Sequence, residues 1–533
     1  MKSNQTHRFD STPKAEIQRS SFNRSHGHKT TFDSGLLVPI YVDEVLPGDT
    51  LNVKLTAFAR LATPIKPIMD NIFMETFFFS VPNRQVWDNW AKFNGEQENP
   101  ADSTDFVVPS LAINTAITEG SLFDYMGLPT IVTGYRANSL HFRAYNHIYN
   151  NWFRDQNLID SAVVRKDDAE ATATDYKVLR RRKRPDYFTS ALPFPQKGPE
   201  ITTPILGTAA VSGIGFNTTM TFPTSSGVIK DSTNPAANYA NAGIMSQGAF
   251  QDAANIYIRG DGPGAGNRPQ IVADLASATG VSINDLRQSF QVQKLLERDA
   301  RSGTRYPEIL KSHFGVTDPQ MLVLQRPEFL GGGSSMVNIN PVTQQTPSNI
   351  APELTPQGNL AAYGTVTLNN HGFTKSFTEH CVVIGIVNVR ADLTYQTGLD
   401  RMWSRQTRFD YFWPALAHLG EQEILNKEIW ADGSAADAQT FGYTPRYEEY
   451  RFKNSLITGK FRSNDPATLD VWHLSQKFAD LPTLSQAFIE DNPPIKRTLA
   501  VQTEPEFIFD SYFNIQHVRP LPMNGTPGLI DHF

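Results

Sequence analysis

LNVKLTAFARL, residues 51–61, is the stretch on which the fold turns. Leu51, Val53, Leu55, Ala57, Ala59 and Leu61 are apolar, Asn52, Lys54, Thr56 and Arg60 alternate with them, and Phe58 is the one exception. Successive side chains on a strand point to opposite faces, so this alternation predicts a strand with one face in a core and one in solvent. Just upstream, Pro47-Gly48-Asp49 reads as a turn, because Pro fixes φ and Gly relieves the next backbone position. Residues 36–45 before it read as an apolar strand, so the pattern is strand, turn, strand. Residues 68–81 are apolar on both parities: Phe73, Phe77 and Phe79 oppose Ile72, Met74 and Phe78, as in a central strand of a sheet covered on both sides. Further β-like runs lie at 381–389 and at 507–515, where Phe507, Phe509, Phe513 and Ile515 share one parity.

Strands do not account for everything. Tyr145, Ile148, Tyr149, Trp152 and Phe153 recur at helical spacing with Arg143, Asn146, Asn150 and Arg154 on the remaining face, the pattern of an amphipathic helix. Residues 282–314 carry a second apolar stripe through Leu286, Phe290, Val292, Leu295 and Leu296, and Leu330-Gly331-Gly332-Gly333-Ser334-Ser335 reads as a flexible joint. Residues 199–282 are dominated by Ala, Gly, Asn, Ser and Thr and read as one long insertion. Phe216, Met220, Phe222 and Ile256-Tyr257-Ile258 favour small β-structure there over a disordered linker. Residues 1–34 are polar, with Lys2, Arg8, Lys14, Arg19, Arg24 and Lys29 scattered through them, and predict an extended basic arm that builds no core. The expected divisions are this arm, a first sandwich part at 35–198 with a helical insertion, the variable insertion at 199–282, and a helical connection with the remaining strands at 283–533. Strands at both ends of the chain, separated by long excursions, point to a mainly β sandwich that pairs sequence-distant strands, as in a jelly roll.

Composition narrows the function. The chain has 533 residues and net charge −6; charged residues are only 19% and aromatics reach 11%. Many rings and few charges fit extensive subunit interfaces, and equally a large, well-filled core. The single cysteine, Cys381, excludes an intrachain disulfide and any multi-cysteine metal site, which fits a reducing cytoplasm. MKSNQTHRFD has no apolar signal-peptide region and no run is long enough to span a membrane, so a soluble chain without membrane insertion is expected.

Several long strings carry a family resemblance. They are residues 20–71, FRAYNHIYNNWFRDQNL at 142–158, RPDYFTSALPFPQKG at 184–198, EFLGGGSS at 328–335, FGYTPRYEEYRFKNSLITGKFRS at 441–463 and RPLPMNGTPGLIDHF at 519–533. In this order they closely resemble the major capsid protein of the microviruses, gokushovirus branch. The resemblance implies a single viral β jelly roll of two four-stranded antiparallel sheets with long loop and helical insertions. It further implies sixty copies in a T=1 icosahedral shell around circular single-stranded DNA, assembled in the bacterial cytoplasm. The insertion would form protrusions at the threefold axes for host attachment, to a receptor its chemistry does not name. Implied partners are the chain itself, the packaged DNA, a small basic DNA-condensing peptide and minor pilot or spike-type proteins. Arg19, Phe22, Arg24 and Phe32 of the arm would be assembly contacts.

Two segments are candidates for DNA contact. Arg180, Arg181, Arg182, Lys183 and Arg184 are five adjacent cations that repel unless they are solvated or face phosphates, so a DNA-facing wall and a solvated loop are both open. Around Arg446, Tyr447, Arg451, Lys453, Lys460 and Arg462, cations interleave with rings as suits single-stranded DNA; a strand pair with rings inward and cations outward is the other reading. A shell protein of net charge −6 does not neutralise a genome unaided, hence the basic peptide. Catalysis is weakly signalled. Glu379-His380-Cys381 invites a thiol mechanism, but strand neighbours face opposite ways and Cys381 reads as a buried small hydrophobe. His26 and His28 lack a third ligand. Arg259-Gly260-Asp261 is a coincidental tripeptide, and Gly262-Pro263-Gly264-Ala265-Gly266 lacks the ending of a phosphate loop. No enzyme activity, cofactor or metal is expected; the alternatives to a shell subunit are a jelly-roll carbohydrate-binding protein and a hydrolase on a β scaffold.

Overall fold

The computed structural model describes residues 17–199, 201, 283–317, 319, 325–348 and 355–524, with short strand fragments between 210 and 274. The strands that build the sandwich are β1 (Ser20–Asn23), β2 (His26–Phe32), β3 (Val38–Val45), β4 (Thr50–Leu61), β5 (Ile72–Pro82), β6 (Glu328–Met336), β7 (Asn338–Thr343), β8 (Leu360–Ser376) and β9 (Cys381–Ala391). A small pair, β10 (Glu421–Leu425) and β11 (Thr440–Pro445), precedes the last strand, β12 (Phe507–Arg519). One antiparallel sheet runs β1, β12, β4, β8, β7, with β2 also on β12; the other runs β6, β5, β9, β3. The fold is a mainly β jelly roll, with neighbours in each sheet far apart in sequence: Phe507 lies opposite Leu61, and Cys381 opposite Pro82.

The larger sheet departs from the expected four strands. β2, β12, β4 and β8 form the four, β1 prolongs the β2 edge and β7 folds back onto β8. The polar arm is corrected in the same place. From Ser20 to Phe32 the chain forms an edge along β12, broken only at Arg24-Ser25, and Phe32 lies in the core beside Phe507 and Phe509. Polar side chains on an edge strand are compatible with full backbone pairing, which composition does not reveal. Lys2, Arg8 and Lys14 lie outside the described residues.

β4 is buried at every second residue, and Phe58 sits on the outer face, half exposed. Its apolar face packs with Phe507, Phe509, Phe513 and Ile515 of β12 against Met74, Phe78, Val383 and Val387 of the facing sheet. Each of those phenylalanines is fully buried, and truncating one to alanine typically costs about 3–5 kcal/mol. β5 is covered on both sides, as its sequence predicts. Phe79 and Val81 face a second cluster with Trp87, Phe142, Tyr145 and Ile148.

That second cluster is built on α1 (Leu140–Ile148), which continues as one wider turn, Tyr149–Phe153. The helix is not amphipathic in its setting: Arg143 and Asn146 are fully buried. Arg143 donates to the carbonyls of Val86, Asp167 and Ala169, and Asn146 to those of Val163 and Asp175. A loop closes over the polar face and supplies the acceptors that water would have supplied.

The glycine run is also corrected. Gly331, Gly332 and Gly333 are strand residues in β6, paired with Phe78, Phe77 and Thr76 of β5. A Cβ on Gly332 would stand 2.0 Å from the Thr76 carbonyl oxygen, and one on Gly333 would stand 2.5 Å from the His371 ring. Close approach of chains, not flexibility, selects glycine there.

Two further helices, α2 (Ile283–Ser302) and α3 (Tyr306–Phe314), occupy the helical stretch. The chain divides into two compact units, residues 1–197 with 297–533, and residues 198–296. Within the second, Ala210–Ser212 pairs with Val272–Asp274 and Ile229–Lys230 with Asn238–Tyr239. Phe216, Met220, Phe222, Ile256-Tyr257-Ile258, Arg259-Gly260-Asp261 and the glycine-rich run after it lie outside the described residues.

Candidate functional site

The five-cation run is turned inward. Its backbone is held between the two ends of the chain: Arg181 N–H donates to the Gly35 carbonyl, Lys183 N–H to that of Ile489, and Asp491 N–H to that of Arg181. Arg181 pairs with Glu75 at 2.5 Å, Arg184 with Glu75 at 3.4 Å and with Asp392 at 3.2 Å. Arg390 of β9 meets the same carboxylate at 2.5 Å. Burial disfavours ionised Glu75, but Arg181 and Arg390 outweigh it and hold the carboxyl below its usual range. Rings complete the packing, with Arg181 over Phe77, Arg184 over Phe73 and Lys183 over Phe488.

Lys183 is 4% exposed and donates to the Phe488 carbonyl; burial lowers its pKa to about 8. Asp491 is pushed up to about 6 by burial, opposed by Lys183 and the neighbouring arginines. Arg180 donates to the carbonyls of Ser34 and Asp491. Only Arg182 keeps a largely open side chain, 45% exposed beside Asp155. Most of the run is an internal strut whose cations are engaged by carboxylates, carbonyls and rings of the same chain, with Arg182 as its open member.

The second candidate segment is split. Tyr447 is buried with φ +64°, its hydroxyl donating to the Tyr411 carbonyl and accepting from Trp413 N–H, so it is no open stacking platform. Arg451 pairs with Glu448, and Lys453 with Asp400 at 2.8 Å. Arg446 lies over the Tyr447 ring, Arg462 donates to the Gln396 carbonyl, and Lys460 is exposed. Among the arm residues, Arg19 is exposed and Phe22 half-buried on β1. Arg24 pairs with Asp43 at 2.5 Å and touches His517, which is buried against Asp49 at 2.9 Å. Arg24 and Phe32 are thus engaged within their own subunit.

What the structure assembles instead is a surface that the motifs did not mark. Trp403 is 71% and Phe409 62% exposed, and Tyr411, Phe412 and Tyr450 are about half exposed. Tyr411, Phe412 and Tyr450 are held, not loose. Phe412 packs edge-on to Tyr447 and Tyr450, Arg405 lies over Tyr450, and Arg408 lies over Trp413. Four of the cations among them are matched: Arg401 with Glu428 at 3.1 Å, Arg405 with Glu449 at 3.4 Å, Lys453 with Asp400 and Arg451 with Glu448. An exposed aromatic face whose cations are largely paired has the composition of an interface core. The overlooked signal was local: five rings stand among the eleven residues 403–413, with no strand or helix period to place them inside.

Elsewhere, Cys381 is buried at the start of β9 and burial pushes its thiol up to about 12, far from a nucleophile's range. His26 and His28 lie on β2. No helix among the described residues is long and apolar enough to cross a membrane.

A jelly roll whose most distinctive surface is an exposed aromatic face is a subunit built to pack against other protein. The comparisons agree: the chain belongs to the capsid protein (F protein) family, whose model it matches over residues 11–529. It is 47% identical over 534 residues to capsid protein VP1 of Bdellovibrio phage phiMH2K, covering 99% of this chain and 98% of that one. It is 42% identical to capsid protein VP1 of Chlamydia phage 1 and 36% identical to that of Spiroplasma virus 4, in each case over 98% of this chain and 97% of the relative. It is therefore a capsid protein of microvirus type, and its place is the virion.

Proposed function

We propose that this chain is the repeating unit of a closed T=1 icosahedral shell, sixty copies enclosing a circular single-stranded DNA genome. The observation that carries the reading is the exposed aromatic face around Trp403, Phe409 and Tyr450, its cations largely paired, which a lone subunit leaves in water. Closed point-group symmetry lets one modest contact, repeated, close a particle. The net charge of −6 requires another source of cations around the DNA, so a small basic DNA-condensing peptide is packaged with it. Residues 199–282 serve as the host-attachment protrusion at the threefold axes, and minor pilot or spike-type proteins complete the virion. A single buried thiol and no disulfide suit assembly in the bacterial cytoplasm.

The test is to purify the chain from a bacterial host and examine it by size-exclusion chromatography and electron microscopy. Megadalton closed particles of uniform diameter are expected. A chain that stays a monomer or small oligomer across salt, pH and concentration would end the reading.

A further inference from the structure

A cavity of about 350 Å³ lies at the start of α3, lined by Arg154, Arg305, Arg326, Gln156, Thr304 and Glu308 among others. Three guanidinium groups and one carboxylate line the space, and Asp155 and Asp160 act on Arg154 from outside the lining. Arg305 is occupied: it pairs with Glu308 at 2.7 Å and donates to the carbonyls of Asn150 and Asn151. Arg154 donates to the Ile159 carbonyl, and Arg326 is stacked 4.1 Å over the Trp152 ring, whose indole is fixed by the Pro327 carbonyl. Among the described residues neither Arg154 nor Arg326 makes an ion pair, and the Nε of each is buried without a hydrogen-bond partner. Burial and then Arg305 lower the pKa of both, so the three cations raise one another's energy.

The placement compounds this. A helix N-terminus carries a partial positive charge that favours anions; α3 has Arg305 at its N-cap and Glu308 in its first turn, and Arg154 and Arg326 line the same space. Clustered guanidinium groups, two of them without an ion pair, beside an open volume suit an oxyanion, which such groups bind through parallel N–H···O bonds.

We propose that this cavity is a phosphate-binding site, with Arg326 and Arg154 as its principal ligands and the phosphodiester of single-stranded DNA as its occupant. The inference deepens the proposed enclosure of DNA and rests on it for the source of the phosphate. It moves the DNA-binding role away from residues 180–184 to residues scattered in sequence but convergent in space.

The probes are a short fluorescent oligo-dT, followed by anisotropy at several salt concentrations, and inorganic phosphate, followed by calorimetry, each with the purified full chain. Arg326→Gln and Arg154→Gln should each weaken oligo-dT binding about tenfold and flatten its salt dependence, by roughly 0.7 in log–log slope for each phosphate no longer neutralised. Arg326→Lys should recover part of the affinity by keeping the charge, and Lys54→Gln, on the outer face of β4 and outside the lining of the cavity, should change neither probe. If the variants lose inorganic phosphate but bind oligo-dT as the wild type does, the site takes free phosphate and the DNA assignment is overturned. If variants with wild-type thermal midpoints bind both probes with wild-type affinity, the whole proposal is overturned. Failure of the enclosure reading has a separate sign: particles recovered from the host without DNA, whatever the variants do.

Discussion

The strut at residues 180–184 and the face at residues 401–453 use the same materials, arginines, lysines and rings, for opposite ends. In the strut the cations are inside, converging on Glu75 and Asp392 or capping backbone carbonyls, with rings beneath them. In the face the rings are outside, and the cations pair sideways with Glu428, Glu449, Asp400 and Glu448. The difference teaches that a run of positive charge says little about where a phosphate binds. The location of the matching carboxylates, which arrive from elsewhere in the chain, decides which groups remain free.

The contrast is broken most directly at Glu75. Glu75→Gln leaves Arg181, Arg184 and Arg390 without their shared negative charge, and removal of one partner from such a buried cluster costs about 3–5 kcal/mol. A urea-unfolding series would show the midpoint falling accordingly; a loss below about 1 kcal/mol would mean the strut is hydrated after all.

A second measurement sharpens it through pH. His147 is buried neutral between Gln85 and Asn151, and burial lowers its pKa from 6.5 to about 4. Because the folded value is depressed, the stabilisation is complete above the unfolded value and is lost as pH falls from about 6.5 towards 4, on the order of 3 kcal/mol in all. The thermal midpoint should therefore drop between pH 7 and pH 4.5, and His147→Gln should flatten that drop. An equal drop in the variant would assign it to other groups, among them His517, whose pKa burial also lowers.

The smallest effect on the fold is expected at the face. Trp403→Ser with Phe409→Ser should leave subunit stability within about 0.5 kcal/mol, as exposed substitutions do, while particle yield falls at least tenfold. Unchanged particle yield would detach the face from assembly.

Legibility in the sequence followed the range of the forces involved. β4 and β12 were readable because alternation is imposed residue by residue, down to Phe58 as the outward ring. β5 was readable because burial on both faces leaves no polar parity. The glycines of β6 misled because composition records their freedom and not the Thr76 backbone that excludes a side chain. Arg143 misled because its acceptors belong to a distant loop. The cavity of Arg154, Arg305 and Arg326 had no linear signature at all, since Arg154 stands far from the other two in the chain and only folding brings them to one point.

One feature of the larger sheet bears on how the subunit is made. β12 lies between β4 and the β1–β2 edge, so a strand that begins at Phe507 occupies an interior position beside one that ends at Leu61. At bacterial elongation rates of about 5–20 residues per second, the first strands wait roughly 20 to 90 seconds for that partner. Until then the apolar side of β4 has no β12 beside it and the N-terminal edge has no ladder to join. A chain that stops short of Phe507 accordingly lacks the sheet's keystone, so the larger sheet closes only once β12 has been made.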